Sequence, residues 1–261
     1  MSRDITEILK DWDYDPDDTT RIIKADNGRE VLQVRQPLGI EQYELAGRPD
    51  GWRPHGLESY LAWYRQRLED HKKTHHSDDE FRLSHEDFLK LQNEGIIYYY
   101  RYLVLFQMGD YERTSRDTQH NLSICDLIDK YVENPKDKKE MLQYRPYILR
   151  VNAISKAMIS VNQHLKSAAT EILESAIELI QNMPTIETPA FQFEKLRSLL
   201  SLRTTLKEII KKRISPVDEL KEKLDKAVEE ENYEEAARIR DKILEMENSE
   251  RLHDDLTNST I

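Results

Sequence analysis

The stretch from Ser215 to Met246, SPVDELKEKLDKAVEEENYEEAARIRDKILEM, constrains the fold of this chain more than any other. Ser215 suits the cap of a helix, Pro216 its first position, and Asp218 the third residue of a capping box. Asn232 and Glu235 repeat that start signal for a second helix, and Glu229 to Glu231 form a polar turn between the two. Val217, Leu220, Leu224, Ala227 and Val228 recur at helical spacing on the first helix. The second carries two adjoining stripes, one through Tyr233, Ala237 and Leu244, the other through Ala236, Ile239, Ile243 and Met246. Two helices this short cannot bury enough apolar area to stand alone. The second is apolar over more surface than one partner helix can cover. Something else must shield the remainder: the rest of the chain, or another molecule.

The run Leu220, Leu224, Ala227, then Asn232-Tyr233-Glu234, Ala236-Ala237, Ile239-Arg240-Asp241 and Ile243 resembles the UVR motif, the UvrB/UvrC motif of bacterial repair proteins. Its Tyr-Glu-x-Ala-Ala-x-Ile-Arg-Asp core is more than a heptad pattern. The resemblance implies a helical hairpin that pairs with a protein partner, often a second such hairpin or another copy of itself. Carried over residue by residue, the pairing positions are Leu220, Leu224, Tyr233, Ala236, Ala237, Ile239, Arg240 and Ile243. The small Ala236-Ala237 pair would let another helix approach closely. As a whole the chain is similar to bacterial UVR-motif proteins with a β-then-helical layout, which bring no activity with them.

Composition narrows the function classes. With 34% charged residues and only seven glycines in 261 residues, the chain should be mainly α. Cys125 is the single cysteine, so neither a disulfide framework nor a Cys-x-x-Cys zinc site is available. That separates the chain from McsA-type proteins, which couple the UVR motif to cysteine pairs. No metal or cofactor is expected. A net charge of -11 argues against direct nucleic-acid contact. Lys195 to Arg213 is a basic exception, read as the solvated face of a helix or, alternatively, as a phosphate contact. No run is long and apolar enough for a membrane span, and Met1 to Lys10 lacks the order of a signal peptide. A cytoplasmic address is the expectation.

From the N-terminus, residues 1–70 should form a small antiparallel β-sheet plus a helix. The acidic run Asp11 to Asp18 fails as a calcium loop, because Pro16 stands where a glycine turn is needed. Arg21 to Ala25 and Glu30 to Gln36 flank Asn27-Gly28 as a hairpin, and Ile40 to Leu45 can add a third strand. Next comes Gly47-Arg48-Pro49-Asp50-Gly51-Trp52-Arg53-Pro54-His55-Gly56, two near-repeats that could present Arg48, Asp50, Arg53 and His55 to a ligand. The plainer reading has proline and glycine setting two tight turns while the arginines bond to carbonyls and carboxylates. Leu57 to Asp70 reads as a helix and His71 to Glu80 as a polar linker.

Residues 81–183 should hold long antiparallel helices. Within them, Tyr102 to Glu112 followed by Asn121-Leu122 is similar to one tetratricopeptide repeat, best at the turn Gly109-Asp110-Tyr111-Glu112. A connecting helix over 191–214 leads to the hairpin at 215–247, and 248–261 should be a frayed tail. Three function classes remain: an adaptor docking a partner through the hairpin, an accessory of nucleotide excision repair, and a ligand-binding protein or enzyme centred on the Arg48–His55 loop. No nucleophile, base or ligand constellation appears elsewhere, so the adaptor is favoured.

Overall fold

The computed structural model describes residues 5–211, 216–229 and 232–258. The proposed cap at Ser215 and the turn residues Glu230 and Glu231 lie outside them. The chain forms two compact units. One comprises the chain through Asn152 together with Thr185–Glu194; the other comprises Ala153–Pro184 and the chain from Lys195.

The first unit opens with helix α1 (Thr6–Lys10), then strands β1 (Thr20–Lys24), β2 (Glu30–Gln36) and β3 (Gly39–Glu44). They pair antiparallel in the order β1-β2-β3, with Ile22 opposite Leu32 and Leu32 opposite Tyr43. Gly28, at a φ of +79°, makes the turn into β2 that only glycine enters without strain. A sheet of three short strands needs a packed face. Leu32 supplies it by clustering with Leu45 and Leu105.

Helix α2 (Tyr60–His75) differs from expectation at both ends. Ser59 caps it, its hydroxyl accepting from the Ala62 amide at 3.0 Å, so the helix begins three residues later than Leu57. It then runs through the first half of the supposed linker and stops at His76, whose φ is +55°. Nothing before Ser77 breaks a helix, and Lys72 and Lys73 favour its C-terminal end. Helix α3 (His85–Gln107) starts at a full capping box between Ser84 and Asp87. Gly109, at a φ of +78°, and the cap Asp110 turn the chain into α4 (Tyr111–Tyr131). Asn134 and Pro135 start α5 (Pro135–Leu142), and Arg145-Pro146 starts α6 (Arg145–Asn162). Leu61, Tyr64 and Leu68 join Phe88, Leu91, Ile124, Cys125 and Ile128 in the main core.

The second unit takes the rest of α6, then α7 (Lys166–Gln181) and most of α8 (Pro189–Lys211). Ala169, Leu173, Ala176 and Ile180 are the buried face of α7. Leu202 and Ile209 are buried on α8. The C-terminal pair is α9 (Pro216–Glu229) and α10 (Tyr233–Asn258). Thus α10 continues as helix past residue 248, where a frayed tail was expected. Glu247 to Asn258 contains no glycine or proline to stop it.

Candidate functional site

The α9–α10 hairpin separates its apolar positions into two sets. Asn232 caps α10, its side-chain oxygen accepting from the Glu235 amide at 3.3 Å. Ala227, Ala236, Ile239 and Ile243 are buried against one another, with Leu220, Leu224 and Met246 packed around them. Five residues that the resemblance marks for pairing (Leu220, Leu224, Ala236, Ile239 and Ile243) therefore form the hairpin's own core. The second stripe stays open: Tyr233 is 67% exposed and Leu244 is 51% exposed, with Ala237 half-buried between them. Arg240, also exposed, lies along this strip and bonds to Asp241 at 2.9 Å. Val228, near the turn, is half exposed as well. Leu244 and Val228 are exposed apolar positions that the resemblance does not mark. Leu244 was legible from its helical register with Tyr233, since eleven residues make three turns.

Beneath the glycine- and proline-rich loop of the first unit lies a polar centre. The Arg48 guanidinium grips Asp50 with two bonds, at 2.9 and 2.8 Å, and donates a third to Glu94 at 2.8 Å. Glu94 is fully buried on α3. It also accepts from the Tyr60 and Leu61 amides at 2.7 and 3.0 Å, and its Oε1 lies 3.1 Å from Nε2 of His120. Burial pushes the Glu94 carboxyl up, but His120 and the two amides outweigh it and hold the group below its ordinary value. The same contest at Asp50, burial against Arg48, also ends with the carboxyl lowered. Alongside, the fully buried Arg101 binds Asp117 through two bonds of 2.6 and 2.7 Å. It spends its remaining Nη1 on the carbonyls of Glu44 and Gly47.

The four loop residues singled out from sequence are thus placed differently. Arg48 is buried, its guanidinium lying 5.1 Å from the Trp52 ring centre and 5.6 Å from that of Tyr60. It occupies the aromatic surface that an external cation would need. His55 stacks on Trp63 at 4.0 Å. Only Arg53 points a charge outward with no ion pair to another described residue. The adjoining cleft of about 570 Å³ is lined by Arg29, Arg48 and Arg53 against Glu44, Asp50 and Glu58. Three cations facing three anions give a charged ligand no net pull. Among the described residues no group of His, Cys, Asp and Glu is arranged to hold a metal, and no helix is long and apolar enough to cross a membrane. Cys125 is buried among apolar side chains, and burial pushes its thiol up to about 12, far from a reactive thiolate.

Residues 215–249 match the UVR family, described as the UvrB/uvrC motif. That match spans α9 and the first part of α10, which carries the open strip of Tyr233, Ala237 and Leu244. No curated protein and no solved structure matches the chain.

Proposed function

We propose that this chain is a non-enzymatic adaptor that docks a protein partner through the open face of its C-terminal hairpin. The observation that carries this reading is the exposure of Tyr233 and Leu244 after Ala236, Ile239 and Ile243 have been buried. A tyrosine and a leucine one strip apart from a complete core add nothing to the hairpin itself. They are the kind of anchor that a partner's groove takes up. The UVR match adds support, because that motif is a protein-interaction module. The experiment is a pull-down with the whole chain and with a Tyr233→Ser/Leu244→Ser variant. We expect the variant to keep its helical content and lose its specific partner. Identical partner sets would sink the adaptor reading.

The motif's association with DNA repair favours one class of partner, a component of excision repair. A net charge of -11 favours protein contact over DNA contact in such a role. Unchanged ultraviolet sensitivity after deletion would remove it. The α3–α4 pair, joined at Gly109-Asp110, is proposed as a tetratricopeptide-like element. There Thr114 is fully buried and donates to the Asp110 carbonyl at 2.7 Å.

A further inference from the structure

Helix α8 carries a second open stripe. Leu196 and Leu200 are 72% and 67% exposed, one helical turn apart on the side opposite the buried Ser198, Leu202 and Ile209. Continuing that stripe toward the C-terminus, the residues at the next turns are Arg203, Lys207 and Lys211. All three are exposed, and none makes an ion pair with another described residue. The stripe is therefore apolar in its first half and cationic in its second. An isolated leucine on a surface needs no explanation, but an aligned pair running into a line of exposed cations is a surface with a chemical preference. It suits an amphipathic helical element that is apolar and acidic.

The C-terminal hairpin is such an element. Residues 216–246 hold eleven acids against six bases, whereas residues 195–213 hold seven bases against one acid. The open strip of α10 matches the stripe in kind. Tyr233, Ala237 and Leu244 form its apolar line, on which Arg240 also lies, bonded to Asp241, and Glu234, Asp241 and Glu245 fall along one edge of it by helical register. In each copy α9 approaches α7, while the α8 stripe and the α10 strip both stay open. We infer that the α8 stripe is a docking surface for the hairpin of a second copy of this chain. Each copy owns both halves of the contact, so two copies related by a twofold axis make the contact twice and leave neither half open. This inference rests on the hairpin being a docking element, and it adds the acceptor.

The test uses the full chain at tens of micromolar, with mass measured by light scattering behind size-exclusion chromatography. The wild type should run at twice the mass of one chain at low salt and shift toward one chain in about 0.5 M salt, where charge pairing is screened. Leu196→Glu/Leu200→Glu and Arg203→Glu/Lys207→Glu should each give single chains with unchanged helical content. Tyr233→Ser/Leu244→Ser should do the same. Chains carrying Leu200→Cys, mixed with chains carrying Leu244→Cys, should form a disulfide between the two kinds; Cys125 is buried and does not compete. A wild type of single-chain mass overturns the inference. So does a dimer lost in the hairpin variant yet kept in both α8 variants, which would leave the hairpin's docking role standing with another acceptor. A dimer untouched by any variant, together with an unchanged pull-down, removes both readings.

Discussion

Arg101 and Asp117 lie sixteen residues apart and are both fully buried. A charge in that position is tolerable only while its partner and hydrogen bonds are present. Arg101→Leu takes two bonds from the Asp117 carboxylate, leaving it with Arg116 at 2.9 Å, and strands two carbonyls, so we expect a loss of about 3 kcal/mol in stability, measured as a fall in the urea midpoint. Adding Asp117→Leu should recover only part of it, because the carbonyls of Glu44 and Gly47 stay unpaired. Glu94 gives a pH signature. Its carboxyl is lower in the folded chain than in the unfolded one, so its stabilisation is present above about pH 4.5 and is lost as the pH falls through the folded value. Denaturation midpoints should drop on acidification in the wild type, and Glu94→Gln, weaker throughout, should show a shallower acid limb. Nothing in the sequence pointed to these residues. Arg101 sits in a tyrosine-rich run that reads as core filler, and its partners come from β3, the loop after it and α4. Only the tertiary fold brings them together. The Arg48–Asp50 pair, two residues apart, was closer to legible.

Helix starts were readable because their chemistry is local. Ser84 with Asp87, Asp110 after Gly109, and Asn134 before Pro135 all act as their types predict. Ser84→Ala should cost about 1 kcal/mol in a thermal or urea melt. The ends were less readable: α2 overran its expected stop by five residues, because a polar tract without a breaker is still a helix former. In the hairpin, helical periodicity identified both apolar stripes of α10 but gave no means of ranking them, since either could have faced α9. The packing of Ile239 and Ile243 against Ala227 and Leu224 decides it. Ile243→Ala should therefore cost about 2–5 kcal/mol, a large share of what so small a core supplies, and reduce the hairpin's helicity by circular dichroism. Tyr233→Ser should stay within about 0.5 kcal/mol of the wild type, as an exposed position does.

At the scale of the whole molecule, the mainly helical class, the three-stranded sheet and the terminal helix pair follow from composition and periodicity. The division into two units does not. Two of its three boundaries fall inside α6 and α8, because a continuous helix can pass from one packed body to the next without any change in pattern; the third, between Pro184 and Thr185, falls in the proline-bounded stretch 184–189, which reads as a linker. That division has a practical corollary. The chain's three tryptophans, Trp12, Trp52 and Trp63, all belong to the unit that carries the sheet. Indole emission therefore watches one half of the protein and is blind to the other. A lesion such as Ile243→Ala should register in ellipticity while the fluorescence midpoint stays where it was.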